Sequence, residues 1–192
     1  MDALYNLLDG QSQKIISRTS LCSKLSSLNI GSCFNIIRKL KRNNKICYLF
    51  NDYFYIFNSD EQLKKYQLYS RLEQIATVLN KQKIKWHFGL HSSLVFYNKQ
   101  VSNSIIIVNN IYSKKIKLFD TKLIFKKQKY YSNIGIKEII SKNRIKIYYS
   151  DIERTYLDYL YFKEKSELKV ENLNLKKLNL YKQNYPKIKE IK

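Results

Sequence analysis

The sequence predicts an α+β fold in two parts, and three observations support that prediction. Residues 46–50 and 53–57 are runs of β-branched and aromatic residues separated only by Asn51-Asp52, which is typical of a tight β-hairpin. Residues 31–42, just before them, repeat apolar side chains at helical spacing. Beyond residue 82, several short strand-like runs alternate with helical segments, so both parts combine helices with strands.

The first part is predicted to contain six elements in the order helix, strand, helix, helix, strand, strand. Their predicted bounds are residues 2–8, 14–17, 19–25, 31–42, 46–50 and 53–57. Gly10 can end the first helix, and Thr19 is a suitable N-cap for the second. Residues 26–30 form the turn of the motif. This order is typical of a winged helix-turn-helix domain, whose second motif helix enters the DNA major groove.

The helix predicted at residues 31–42 has an apolar face and a cationic face. Projected at about 100° per residue, the apolar side gathers Cys33, Ile36, Ile37 and Leu40. The other side gathers Ser32, Asn35, Arg38, Lys39 and Arg42. Cationic and amide side chains bond to phosphates and to base edges, so we predict that these five residues contact DNA. The alternative is an ordinary amphipathic helix whose charges are only solvated.

The hairpin, as the predicted wing, supplies a second set of contacts. Asn and Asp tolerate the positive φ that a two-residue turn needs, so Asn51-Asp52 forms its tip. Lys45, Asn51 and Tyr53 could reach flanking phosphates or the minor groove. We therefore add these three residues to the predicted DNA contacts.

A long polar helix is predicted at residues 59–80. Its less polar stripe consists of Leu63, Tyr66, Leu72, Ile75, Ala76 and Leu79. The stripe either packs on its own domain or makes the helix a connector or dimer helix. The predicted division is therefore a DNA-binding domain at 1–58, a connector helix at 59–82 and a mixed α/β domain at 83–192.

The second part is predicted to hold four strands among three helices. The strands are predicted at residues 104–108, 114–119, 122–127 and 144–149, and the helices at 89–97, 151–163 and from 171 to before Pro186. Asp120-Thr121 suggests a hairpin turn between the middle strands. Ser150 and Glu153 have the spacing of a capping box that opens the helix at 151–163.

The charge of the chain favours a polyanionic partner. The formal net charge is +21, from 36 Lys and Arg against 15 Asp and Glu. Such a charge is most easily tolerated beside nucleic acid, although the abundance of Ile, Lys, Asn and Tyr is also typical of AT-rich coding. Residues 81–192 carry +16 of the total. This excess leaves open an RNA-binding role for the second part.

Membrane and secretory segments are not indicated by the sequence. No run approaches the roughly 20 apolar residues that cross a bilayer, and the N-terminus lacks a basic segment followed by an apolar one. The three cysteines have no CxxC spacing, and Cys22 and Cys33 lie on the predicted buried faces of the two motif helices. We therefore expect small buried hydrophobes rather than ligands, in a reducing cytoplasm.

The sequence offers little support for an enzyme active site. His87 and His91 are four residues apart, as zinc ligands on a helix can be, but no further His or Cys lies near. Asp120-Thr121-Lys122 has the carboxylate-x-Lys spacing of metal-dependent nucleases, yet it falls in a predicted turn where Asp is common. With only four glycines, a phosphate-binding loop is not expected. We predict no enzyme, no metal and no cofactor.

One further cluster of charges lies at the start of the helix at 151–163. Its members are Asp151, Glu153, Arg154 and Asp158. They are either a surface for a partner or structural groups, because acids suit a helix N-terminus and Arg154 and Asp158 have the spacing of an intrahelical ion pair.

The sequence resembles the AbiE-type antitoxins, the AbiEi-like partners in abortive-infection toxin–antitoxin pairs. The likeness lies in residues 30–57, 86–94, 145–160 and 180–186. The four charges at 151–158 are similar to the family's Glu-Arg-Thr-Leu-Leu-Asp motif, whereas Asn51-Asp52 replaces the usual glycine of the wing tip. The resemblance implies an N-terminal winged helix-turn-helix and a C-terminal antitoxin domain. It also implies repression of the protein's own operon and neutralisation of a nucleotidyltransferase-like toxin, without requiring a stable complex.

The resulting hypothesis is a cytoplasmic, DNA-binding antitoxin that recognises its own operator. The alternatives are a stand-alone transcriptional regulator and an RNA-binding module, with a nuclease as a third class.

Overall fold

The computed structural model describes residues 13–26, 32–98, 104–166, 168–186 and 188. These residues form an α+β protein with seven α-helices and two β-sheets. The chain divides into two compact units, residues 1–81 and 82–192. The predicted helix at 2–8, its end at Gly10 and most of the predicted turn at 26–30 lie outside the described residues. None of the described helices is both long and apolar enough to span a bilayer.

The first unit packs helices on a three-stranded antiparallel sheet. Its elements are β1 (Ile15–Ser17), α1 (Arg18–Ser26), α2 (Cys33–Arg42), β2 (Ile46–Tyr48), β3 (Tyr53–Ile56), α3 (Ser59–Lys64) and α4 (Arg71–Lys81). The strand order is β1-β3-β2, with Ile16 opposite Phe54. The strand predicted at residues 14–17 therefore pairs with the hairpin as the third strand of its sheet.

The tight turn of the hairpin is also confirmed, although β2 ends at Tyr48 rather than at the predicted residue 50. Asn51 and Asp52 have φ values of 52° and 60°, and the Tyr53 N–H donates to the Phe50 carbonyl over 3.1 Å. Positive φ at both central residues is the requirement of the turn that matches strand twist in a two-residue hairpin. The local sequence therefore determines this turn.

The helix α1 begins one residue before the predicted start. Its first residue is Arg18, and the Ser17 hydroxyl accepts a hydrogen bond from the Ser20 N–H over 3.1 Å. Thr19 therefore lies inside the helix and is not its N-cap. Ser17 is also the last residue of β1, so the strand passes into the helix without a loop.

The core of the first unit contains a disulfide that the sequence analysis missed. Leu21, Leu25, Ile36 and Leu40 are buried where α1 and α2 pack on the sheet, and Cys22 and Cys33 lie half-buried beside them. The two cysteine sulfurs are bonded, with Cα atoms 5.4 Å apart, as a disulfide requires. The expectation of two separate buried thiols was wrong, because sequence spacing does not reveal which helix faces meet. Disulfides are typical of oxidising compartments, so this bond lends no support to the predicted cytoplasmic location.

The predicted long helix at 59–80 is two helices, α3 and α4. Lys65 ends α3 in the left-handed region, at φ 51°. The cause is Glu61, whose buried carboxylate accepts hydrogen bonds from the Lys14 ammonium at 2.8 Å, the Leu68 N–H at 2.7 Å and the Tyr55 hydroxyl. Burial alone would raise the pKa of Glu61, but these bonds outweigh it and lower the pKa. The chain after α3 thus folds back over one carboxylate.

The break also divides the predicted apolar stripe. Leu63 is 81% exposed and Tyr66 is exposed, whereas Ile75, Ala76 and Leu79 of α4 are buried within the first unit. Packing on its own unit is therefore confirmed for the α4 residues of the stripe, whereas Leu63 and Tyr66 do not pack there.

The second unit is built on a six-stranded mixed sheet. Its elements are β4 (Trp86–Phe88), α5 (His91–Leu94), β5 (Ser104–Asn109), β6 (Lys114–Leu118), β7 (Thr121–Lys127), β8 (Ile136–Ile140), β9 (Lys146–Ser150), α6 (Ile152–Phe162) and α7 (Leu175–Lys182). The strand order is β6-β7-β5-β4-β9-β8. The pairs β5–β7 and β4–β9 are parallel, and the other three pairs are antiparallel.

Several boundaries in this unit differ from prediction. The strands β4 and β8 were missed, because β4 has only three residues and β8 is mostly exposed, so neither shows a strand-like alternation. The turn between β6 and β7 is centred on Phe119 and Asp120, since Thr121 already pairs with Leu118. The helix predicted from residue 171 is reduced to a 3₁₀ turn at Val170–Asn172 and the helix α7.

The predicted capping box at the start of α6 was also wrong. Asp151, not Ser150, is the N-cap, and its carboxylate accepts from the Arg154 N–H over 2.9 Å. Ser150 still belongs to β9, where it pairs with Ile136. The Glu153 side chain turns instead to α7, where it contacts Lys177.

Candidate nucleic-acid interface

The helix α2 separates its side chains into the two predicted faces. Ile36, Ile37 and Leu40 are at most 9% exposed and pack into the core of the first unit. The opposite side exposes Ser32, Asn35, Arg38, Lys39 and Arg42 to solvent. Three cations and one amide therefore share one accessible helix surface, which we call the α2 face.

The α2 face carries positive charge without internal neutralisation. Neither α1 nor α2 contains an acidic residue. Across the described parts of the chain, Arg38, Lys39 and Arg42 form no ion pair. Lys39 and Arg42 lie in the last turn of the helix, where a positive charge interacts favourably with the helix dipole. Their location is thus compatible with helix stability and with phosphate binding.

Phe34 is a member of this surface that the sequence analysis missed. Its side chain is 66% exposed, and the Arg38 guanidinium carbon lies 4.8 Å from the ring centroid. A cation over an aromatic ring contributes about 0.5–1 kcal/mol at an exposed site, which orients Arg38 on the helix. The available signal was the position of Phe34 four residues before Arg38, at the border of the polar face.

The predicted hairpin contacts are less accessible than the α2 face. Lys45, Asn51 and Tyr53 are each half-buried, and burial raises the pKa of Tyr53. The tip is attached to α1, because the Arg18 N–H donates to the Asp52 carbonyl over 2.7 Å and the two side chains form an exposed ion pair at 2.9 Å. The hairpin therefore folds against its own unit and presents an acid at its tip.

The second unit contains a buried polar cluster centred on His87 and Asp158. The His87 Nε2–H donates to Asp158 Oδ2 over 3.0 Å, and the Tyr131 hydroxyl donates to His87 Nδ1 over 2.9 Å. Tyr185 donates to the other Asp158 oxygen over 2.5 Å. Gly89 is adjacent, where a Cβ atom would lie 2.7 Å from Val108. Residues from four segments of the chain thus surround the Asp158 carboxylate and the His87 imidazole.

Charge in this cluster is balanced by Arg154. Burial and the nearby guanidinium lower the pKa of His87 to about 4, despite the opposing effect of Asp158. His87 is therefore neutral at pH 7, which matches a ring that donates at one nitrogen and accepts at the other. Arg154 Nε lies 3.9 Å from Asp158 Oδ2, so the guanidinium and the carboxylate form the buried ion pair.

The same guanidinium holds the segment before β8. It donates to the carbonyls of Ser132 and Ile134 over 2.6 and 2.5 Å and to Gln128 Oε1 over 2.9 Å. Gly135 follows with φ 71°, and its carbonyl accepts from the Asp151 N–H over 2.8 Å. Arg154 thus fixes the path of residues 128–135.

The remaining motif acids are bound to α7. The Lys177 ammonium lies 2.7 Å from both Asp151 Oδ2 and Glu153 Oε2, and the Tyr181 hydroxyl donates to Asp151 over 3.0 Å. All four motif residues, from Asp151 to Asp158, are at most 9% exposed. The structure therefore places the four predicted motif residues inside the unit, where they join α6 to its neighbours.

The candidate enzyme sites are not assembled in the described residues. His87 lies in β4 and His91 in α5, where its Nε2 contacts the Ser104 carbonyl at 3.0 Å, so the two rings do not share a helix face. Asp120 is exposed in its turn. In the parts of the chain that the structure describes, no three metal-ligating side chains are grouped to hold an ion.

Comparison of the sequence with protein families and curated proteins assigns no function to these residues. The sequence matches no protein-family model and none of the curated proteins.

Proposed function

We propose that the protein is a DNA-binding regulator whose first unit acts as a winged helix-turn-helix reader, with α2 as the recognition helix. The observation that carries the proposal is the α2 face, on which Asn35, Arg38 and Arg42 are exposed opposite a buried apolar stripe. An α-helix with its side chains is about 10–12 Å across, which suits a major groove about 12 Å wide.

The chemistry of the α2 face suits both parts of DNA recognition. Arginine donates in bidentate fashion to guanine, and asparagine pairs in the same way with adenine. Lys39 suits phosphate as a point charge. The hairpin contributes less than the sequence suggested, since Asn51 and Tyr53 are half-buried and the tip carries Asp52. Base reading is therefore assigned to α2.

The biological role proposed here is that of an antitoxin which represses its own operon and counters a nucleotidyltransferase-like toxin. The support is the resemblance of residues 30–57 and 145–160 to AbiE-type antitoxins. Because Asp151, Glu153, Arg154 and Asp158 are buried, they are assigned to maintaining the second unit. A stand-alone regulator with the same α2 face is the alternative within this class.

An RNA-binding role for the second unit is the second candidate. Its support is the hairpin of β6 and β7, on which Lys115, Lys117, Lys122 and Lys127 are exposed. Lys115, Lys117 and Lys122 share one face of the hairpin, because Lys117 lies opposite Lys122 and side chains alternate along a strand. The strand β6 is the terminal strand of the sheet. An RNA could bind there through its phosphates, independently of its base sequence.

The test is fluorescence anisotropy of the full chain with its own upstream duplex, a scrambled duplex and tRNA across a salt series. Nonspecific phosphate binding weakens steeply with salt. We expect preference for the upstream duplex to persist at about 200 mM salt. Equal, salt-labile binding to all three nucleic acids would contradict operator recognition and support the RNA role. Rescue from the product of the adjacent gene then tests the antitoxin role.

A further inference from the structure

The second unit contains a cleft of about 380 Å³ beside β4. Three aromatic side chains line it, Trp86, Tyr131 and Tyr148. Trp86 is 3% exposed, and its ring lies 5.6 Å from the Tyr148 ring at a steep angle of 80°. Tyr131 and Tyr148 are half-buried, so neither side chain is fully enclosed by the protein. Pockets of this volume accept small organic ligands.

Hydrogen bonds within the protein itself fix the wall of the cleft. The Tyr131 hydroxyl donates to His87 Nδ1 over 2.9 Å, and Arg154 binds the Ser132 and Ile134 carbonyls on either side of Asn133, another lining residue. Burial raises the pKa of Tyr131, which keeps the phenol protonated as the donor. The buried cluster therefore holds the ring of Tyr131 in a fixed position.

The rim of the cleft is cationic and also offers hydrogen-bonding groups. Lys85 and Lys137 are exposed there. The one lining acid, Glu138, is bound by the Lys146 ammonium at 3.1 Å, so its charge is largely compensated. Asn133 and Glu138 can accept hydrogen bonds from amino groups, and the lysines suit phosphate.

We propose that this cleft binds a nucleotide unit, with the base against Tyr131 and Tyr148 and the phosphate toward Lys85 and Lys137. Aromatic rings stack on every base, and stacking is tolerant of sequence. The net charge of +16 on residues 81–192 favours an anionic ligand over a neutral one. A free nucleotide and the exposed end of a single-stranded RNA share this chemistry, and the test separates them.

The test uses Trp86, the only tryptophan in the chain, as an intrinsic probe. The full-length protein is titrated with AMP, UMP, adenosine, inorganic phosphate and a short single-stranded RNA, and tryptophan fluorescence is recorded. We expect a saturable change with both nucleotides, and weaker binding of adenosine and of phosphate alone. Tighter binding of the RNA than of UMP identifies a strand as the ligand, and the reverse order identifies a free nucleotide. No saturable change with any nucleotide or RNA overturns the proposal.

Two variants with matched controls locate the binding. Tyr148→Leu removes a stacking surface and should weaken nucleotide binding about tenfold, whereas Tyr130→Leu, outside the cleft, should leave it unchanged. Lys137→Gln should weaken it severalfold, whereas Lys142→Gln, which removes the same charge from the same hairpin, should not. Lys137 is an exposed residue of the edge strand β8, so this variant retains the fold. Equal binding by Lys137→Gln and Lys142→Gln, together with unchanged binding by Tyr148→Leu, would refute the site.

This outcome is independent of operator binding. None of the substituted residues belongs to the first unit. Duplex anisotropy measured on the same four variants should therefore match that of the unmodified protein, so failure of the cleft and failure of the α2 face give different results.

Discussion

A single buried arginine holds several segments of the second unit together. Arg154 is fully buried, it bonds to two main-chain carbonyls and one side-chain oxygen, and it balances the charge of Asp158. Its guanidinium carbon also lies 5.4 Å from the centroid of the Tyr131 ring. No local pattern in the sequence reveals these partners, because Gln128 and Ser132 are more than 20 residues away. The sequence predicted only the pairing with Asp158.

Removing this side chain should strongly destabilise the protein. We expect Arg154→Ala to lower the free energy of unfolding by about 3–5 kcal/mol, because it leaves the buried Asp158 charge without a cation and two carbonyls without their donor. Lys165→Ala, at an exposed position after α6, should change it by less than about 0.5 kcal/mol. Urea unfolding measures both. A loss below about 1 kcal/mol for Arg154→Ala would show that the cluster is not structural.

His87 should make stability depend on pH. Its pKa is about 4 in the folded protein and 6.5 as a free side chain, so the unfolded chain binds the proton more readily in that interval. Stability from this residue is complete above pH 6.5 and decreases as the pH falls toward 4, by at most about 1.4 kcal/mol per unit. Urea unfolding at pH 7 and 5 should show a larger loss for the native sequence than for His87→Gln. Equal losses would place the imidazole in contact with water.

At the scale of elements, local patterns predicted turns and faces, whereas tertiary contacts decided lengths. The hairpin at Asn51-Asp52 and the buried face of α2 depend on residues that are close together in the sequence, and both were predicted. The break between α3 and α4 depends on Glu61 meeting Lys14, which is 47 residues away in sequence. The disulfide likewise depends on how α1 meets α2. Neither relation leaves a periodic signal in the sequence.

The disulfide should contribute measurably to the first unit. Cys22 and Cys33 are separated by 11 residues, and closing a loop of this size stabilises a protein by about 3 kcal/mol, mainly by restricting the unfolded chain. We expect a reducing agent to lower the unfolding temperature of the oxidised protein. The double variant Cys22→Ala with Cys33→Ala should be insensitive to the reductant. Identical unfolding with and without reductant would show that the bond does not hold the two helices together.

At the scale of the whole molecule, the net charge of +21 is divided unequally between two separate compact units. The first unit has the fewer cations, but α2 concentrates them on one surface. The second unit has the larger charge, and its proposed ligands include single-stranded RNA or a nucleotide. The sequence predicted the α2 face because helical periodicity is local. It missed the Trp86 cleft, because that site combines two unpredicted strands with a segment held by Arg154.

The most direct measurement is the ratio of affinities for the upstream and scrambled duplexes, compared between two double variants. Arg38→Gln with Arg42→Gln removes two charges from the α2 face. Lys64→Gln with Lys65→Asn removes two exposed charges from α3 and its end in the same unit, and Asn tolerates the positive φ of Lys65.

We predict that the arginine variant loses preference for the upstream duplex at about 200 mM salt while its thermal unfolding is unchanged. The lysine variant should retain the preference, with only a slightly weaker affinity for both duplexes. If the arginine variant kept its preference, α2 would not be the recognition helix.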